Sequence, residues 1–388
     1  MTPLAAPPTE GSRSTSRPDG GSARGRPQTE HWHVALLLMS GVGLLLGAYT
    51  GLGRSGSTHR LLQSDIHGVV MVLGFLGLVI ALERATVLGT RLGYVAPAFT
   101  AASTLLLATP LPRMVAGILL ALSGILVALS YARDLRRFAI HEVTLGAGAI
   151  SWTAAAVLWT IGSGPIVITP LLAAVLVLTV IGWRLRDGRL RLSHRAYRGG
   201  FAALASIFVV GVAISPVNRT FGLLVAGIGL LGLAPGLLRH DIARTELRRG
   251  GLLAFSAWST TLGYVWLGVS GALWIAMGVG ATGPLLHDAL VHSLFLGFVL
   301  SWLMGRAPTL IPTLISTSPV EIGVRYLPLT MLQVSVALRI AADLVGSFAW
   351  REMALHGNVA ALVAFVVIEL VAVRRGASAA RPRGHEIL

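Results

Sequence analysis

Two imidazoles and a carboxylate, His287, Asp288 and His292, sit in a run that is otherwise apolar and long enough to cross a bilayer. Ionisable side chains at membrane depth are costly and persist where they pair or bind something. On an ideal helix His287 and His292 are separated by roughly 7.5 Å of rise and about 140° of rotation, so they do not serve one flat ligand together. Asp288 precedes His292 by one helical turn and shares its face. From there it can orient the imidazole and decide which ring nitrogen is available to a metal. A second candidate, His67, opens another apolar run that reads HGVVMVLGFLG. Histidines on two spans at one depth can present Nε2 atoms to opposite faces of a single iron porphyrin. His67 and His292 form such a pair. Gly68, with Gly74 and Gly77, leaves room for a ring or for a neighbouring helix.

The same outer layer holds further groups with ligand or counter-ion chemistry. Arg339 and Asp343, spaced i,i+4, form an intramembrane ion pair or, with Arg351, offer guanidinium groups to the carboxylates of a bound cofactor. His287 and His356 are candidates for a second metal, since imidazole suits Cu(II) and methionine Cu(I). There is no cysteine in the chain, which removes disulfides, thiolate metal sites and iron–sulfur clusters.

What must position these residues is a membrane bundle. Of 388 residues 54% are hydrophobic and 12% charged, and the mean hydropathy is +0.75, values that exclude an ordinary soluble domain. The formal charge of +15 comes from arginine alone and lies in loops between apolar runs rather than in a stripe with interleaved aromatics, which excludes nucleic-acid binding. Twelve runs approach spanning length, at about 34–53, 64–83, 92–109, 112–131, 143–161, 165–183, 199–216, 219–238, 252–276, 284–305, 327–347 and 354–373. With the N-terminus inside, inner segments hold 25 arginines and outer loops five, as expected for a multi-pass protein of a bacterial-type plasma membrane with both termini cytoplasmic. Three segments follow: a disordered tail over 1–33, a twelve-span domain over 34–373 and a basic tail over 374–388. Glu83 and Arg84 are expected to mark an interface, and Pro308 and Pro312 to break the chain after Arg306 into a re-entrant or interfacial piece.

His67-Gly68-Val69-Val70-Met71 and His292-Ser293-Leu294-Phe295, running on to Gly305, resemble the motifs of spans two and ten in the catalytic subunits of haem–copper oxidases and nitric oxide reductases, and the related NnrS-type haem and copper membrane proteins. The resemblance covers two spans, about a tenth of the chain. It implies a haem–copper-oxidase-subunit-I-like bundle with a low-spin haem b near the outer face and axial ligands His67 and His292; the cofactor carboxylates that Arg339 could meet would then be its propionates. It departs from the family where Leu290 replaces the histidine that holds the active-site haem. No histidine occurs in 165–183 or 199–216, where the copper ligands would lie. The expectation is therefore one bis-histidine haem without the binuclear centre, in electron transfer or in redox handling of oxygen or nitric oxide. Membrane lipids and an unspecified redox protein or quinone are the partners, a small gas is a possible ligand, and no residue is assigned as catalytic. From another class, a proton-coupled secondary transporter would use His287, Asp288, His292, Arg339 and Asp343 as its site.

Overall fold

The computed structural model describes residues 27–53, 66–109, 112–134, 139–192, 194–315, 317, 319–320 and 323–379. The tails at 1–26 and 380–388, with His385, and the segment 54–65, with Arg54, His59 and Arg60, lie outside the described residues. The described chain is helical, with one isolated bridge, Leu190 to Asp241, in place of a sheet.

Among the described residues twelve helices of 13 residues or more follow in order: α1 Pro27–Gly53, α2 His67–Leu88, α3 Val95–Leu107, α4 Arg113–Asp134, α5 Ile140–Thr160 and α6 Pro165–Arg186, then α7 Arg195–Ile214, α8 Arg219–His240, α9 Gly251–Gly278, α10 Pro284–Leu314, α11 Tyr326–Val345 and α12 Phe348–Ala379. Eleven of them are long and apolar enough to cross a membrane. The exception is α3, a 13-residue helix behind a 3-10 turn at Arg91–Tyr94. Its early end follows from Thr109-Pro110-Leu111-Pro112, because a proline disfavours helical backbone in the residue before it. Gly93 still packs on Ala85 and Thr104 on Gly74, so α3 runs antiparallel to α2 over most of its depth.

Small residues let the other neighbours approach. Gly211 and Gly229 of α7 and α8 meet backbone atoms of Ala226 and Phe208, and Gly271 of α9 meets Leu231 of α8. In a membrane, where lipid tails are as apolar as leucine, such close contact replaces the hydrophobic drive as the source of packing. At the centre are α2 and α6, each with 89% of its apolar window buried, followed by α10 with 72%. These three line one small apolar cavity, with Val79, Val180 and Val299 among its walls.

Two sequence expectations change. Span ten does not break after Arg306: α10 continues through Pro308 and Pro312 to Leu314. Each ring removes one backbone donor, and both prolines are buried against neighbouring helices that hold the segment helical. Glu83 and Arg84, expected to snorkel at an interface, are 6% and 4% exposed and held by protein partners, the first by Arg186 and the Trp183 indole, the second by Asp134 and Ser130.

Candidate functional site

His67 is the first residue of α2, and its half-buried ring lies against α1. Gly43, Gly47 and Gly51 recur every four residues on α1, and this glycine face accepts Phe75, Met71 and His67 in turn. A Cβ at Gly51 would stand 2.9 Å from His67 Cε1, so the imidazole occupies the space that glycine leaves. His67 Nδ1 is 2.8 Å from the Gly47 carbonyl, with Thr50 Oγ1 at 3.4 Å. In the neutral ring Nδ1–H donates to that carbonyl, which makes Nε2 the lone-pair nitrogen. Gly68, about 100° further round the helix, faces α6, where Leu172 Cδ1 would be 3.8 Å from an added Cβ. Gly74 and Gly77, by contrast, are filled by Thr104 and Trp152 and serve helix packing.

His292 is also half-buried and repeats the arrangement, with Nδ1 2.8 Å from the Asp288 carbonyl one turn earlier. The sequence assigned that role to the Asp288 carboxylate, whose Oδ2 stands further away at 3.5 Å. The carboxylate has other work. Its Oδ2 accepts from Nη2 and Nε of Arg339, the latter at 2.9 Å, and from Arg351 Nη2 at 3.4 Å. Asp343, its side chain fully buried, lies 2.8 Å from Arg351 Nε and 3.5 Å from Arg339 Nε. Two guanidinium groups and two carboxylates thus balance, with the His292 imidazole at their edge.

The two histidines share a depth. Trp183 of α6 stacks on Trp302, and Asp187 pairs with Arg306 at 3.0 Å, so α6 and α10 run parallel. Gly68 beside Leu172 and Glu83 beside Trp183 show that α2 and α6 do so too. Following both registers toward the other membrane end brings His67 and His292 level with the same turn of α6, near Leu172. A π-helical stretch follows each histidine closely, Val70–Leu76 and Ser293–Leu300, and these are the two such stretches among the described residues. π-turns widen a helix at the expense of one regular hydrogen bond and recur at functional sites.

The structure therefore brings Asp288, His292 and Arg339 together and adds Asp343 and Arg351. It sets His67 at the same depth but against a different neighbour, α1. His287, half-buried, lies one and a half turns before His292, while His356 is exposed on α12, its Nδ1 2.8 Å from the Glu352 carbonyl, beside an apolar groove shared with Leu52. Among the described residues no group of three or more His, Asp or Glu is placed to hold a metal ion. The sequence reading missed the glycine face of α1, although the four-residue spacing in GVGLLLGAYTG was there to read.

At the arginine-rich end Arg325 is held by Glu369 and Arg184 by Asp241; all four side chains are nearly fully buried. Tyr264 Oη donates to Asp241 at 2.7 Å, and Arg189 binds Glu246 through one nitrogen to both oxygens.

Fold and site together define a polytopic helical membrane protein with imidazoles and an ion network at the end away from the arginine-rich loops. Residues 33–374 match the model of DUF8744, a domain of unknown function, and the chain belongs to that family. No curated protein matches the chain. No solved structure matches it either.

Proposed function

We propose that this is an oxidase-subunit-like membrane haem protein of the bacterial-type plasma membrane, which holds one low-spin haem b between His67 and His292 for electron transfer. One observation carries the proposal: two imidazoles at one depth, on two of the most buried spans, each with Nδ1 committed to a main-chain carbonyl so that Nε2 is the nitrogen offered to a metal. The donor set fits the group. Neutral imidazoles ligate haem iron, Gly68 leaves α2 without a side chain toward α6, and Arg339 and Arg351 are the cations nearest His292 for propionates. Those arginines already balance Asp288 and Asp343, so propionates would share them with resident carboxylates.

When bound, such a haem supplies one-electron chemistry. The protein's part is to fix the tautomer of each ligand, through Gly47 and Asp288, and to keep the surroundings apolar. Were both His67 and His292 to hold such a haem, no protein-side position would be left for a gas, which favours electron transfer over gas chemistry. A redox protein or a quinone is the partner this role requires. A copper site at His287 and His356 has less support, because among the described residues no group of three or more His, Asp or Glu is placed to hold a metal ion.

The test is a reduced-minus-oxidised spectrum of the purified, haem-sufficient protein, repeated with His67→Ala and His292→Ala. A Soret and α-band pair present in the wild type and lost in both variants is expected; a colourless wild type overturns the proposal. The second reading, a proton-coupled transporter, is favoured by the ion network of Asp288, Arg339, Asp343 and Arg351, two acids and two bases shared between three helices. It requires substrate-dependent proton flux in proteoliposomes that Asp343→Asn abolishes, with no chromophore.

A further inference from the structure

The segments joining α6 to α7 and α8 to α9 form a single platform at the arginine-rich end. Leu190 pairs with Asp241 as an antiparallel bridge, Arg191 N donates to the His240 carbonyl at 3.0 Å, and Ile242 N donates to the Arg189 carbonyl at 2.9 Å. Buried chemistry locks the two together. Asp241, 4% exposed, accepts from Arg184 Nε at 2.7 Å, from Tyr264 Oη at 2.7 Å and from the Ala243 amide at 2.8 Å.

Three acids occur between Arg184 and Gly250, and all are engaged: Asp241 with Arg184, Glu246 with Arg189, and Asp187 with Arg186 and Arg306. Left over on the first segment are Arg191, Arg195 and Arg198, all exposed. Left over on the second are Arg239, Arg244, Arg248 and Arg249, exposed likewise. None of these has a carboxylate partner among the described residues. Between the two groups lies Tyr197, its ring 4.5 Å from that of His240 and 5.7 Å from that of His194. A charge excess that served only to orient the chain would need no fixed geometry. Here two arginine groups are held side by side by a buried ion pair, at the ends of membrane helices, where headgroup phosphates lie.

We propose that this platform binds the headgroups of anionic phospholipids in the leaflet it faces, with guanidinium groups from both segments pairing with phosphate oxygens. The lipid is the occupant, rather than a soluble anion, because the arginines flank spanning helices and their long stems can lie along the acyl region.

The full chain is equilibrated in micelles containing equal amounts of phosphatidylglycerol and phosphatidylcholine, and the lipids it retains are counted by native mass spectrometry. The wild type is expected to retain phosphatidylglycerol selectively. Arg195→Gln/Arg198→Gln/Arg244→Gln/Arg248→Gln is expected to lose that selectivity by on the order of tenfold or more. Arg91→Gln/Arg133→Gln/Arg374→Gln/Arg375→Gln removes the same charge elsewhere and is expected to keep it. Equal loss in both variants, or in neither, overturns the proposal, and displacement of the lipid by inorganic phosphate makes this a soluble-anion site instead. Should the fourfold variant not remain monodisperse, Arg195→Gln/Arg198→Gln alone is compared with Arg374→Gln/Arg375→Gln, with the same outcomes deciding.

Discussion

The two ends of the bundle handle buried charge differently. At the arginine-rich end the three most buried guanidinium groups each have their own carboxylate, Arg184 with Asp241, Arg325 with Glu369 and Arg84 with Asp134, beside a chain in which Arg186 joins Glu83 to Asp187 and Asp187 also holds Arg306. At the other end Asp288 gathers Arg339, Arg351 and the His292 ring on one oxygen, while Asp343 leans on the same two arginines. One-to-one pairs tie two helices and have a single low-energy arrangement. A shared network has several, because each cation can move between acids as a ligand or a proton arrives. The first kind is a staple, and the second is suited to respond.

The comparison is sharpest at Asp241. Asp241→Ala leaves the Arg184 guanidinium and the Tyr264 hydroxyl buried without their acceptor, and is expected to cost about 3–5 kcal/mol in reversible unfolding of the detergent-solubilised protein. At the responsive end Asp288→Asn keeps the shape and leaves both arginines with Asp343, so a smaller loss of about 1–2 kcal/mol is expected by the same measurement. Equal losses at the two positions would break the distinction. Glycines on one helix provide the finest test. Gly77→Ala drives a Cβ to 2.7 Å from Trp152, an indole pinned by its bond to the Leu120 carbonyl, and is expected to cost about 1–3 kcal/mol. Gly68→Ala meets only Leu172 at 3.8 Å and is expected to stay within about 0.5 kcal/mol, read as an unchanged melting temperature. If Gly68→Ala destabilises as much as Gly77→Ala, the N-terminal end of α2 has no spare room and the haem proposal loses one of its supports.

Some residues misled the sequence reading for identifiable reasons. Pro308 and Pro312 looked like a break because proline removes a donor and clashes with the preceding turn, yet packing around α10 carries the helix past both. Glu83 and Arg84 looked like snorkelling side chains because their partners, Arg186 and Asp134, lie 103 and 50 residues away in the chain, where no local pattern connects them. Arg339 and Asp343 were legible as a pair because i,i+4 spacing is local; Asp288 and Arg351, the other half of that network, come from α10 and α12. His67 and His292 were legible as chemistry by type and depth. That one rests on the glycine face of α1 and the other on the main chain of α10 was not.

By itself the sequence determined which stretches form long apolar helices, because a run of about twenty apolar residues meets its transfer cost locally and a charged loop cannot follow it; only the span expected at 92–109 is too short as a helix to cross. It determined also which side chains at membrane depth would need partners. Only the tertiary structure decided who those partners are, since the helices that meet around α6 are far apart in the chain. Close contact between them depends on glycines and buried ion pairs whose halves lie on different spans. A residue's need for a partner is a property of its own chemistry, whereas the identity of that partner is a property of the packed bundle.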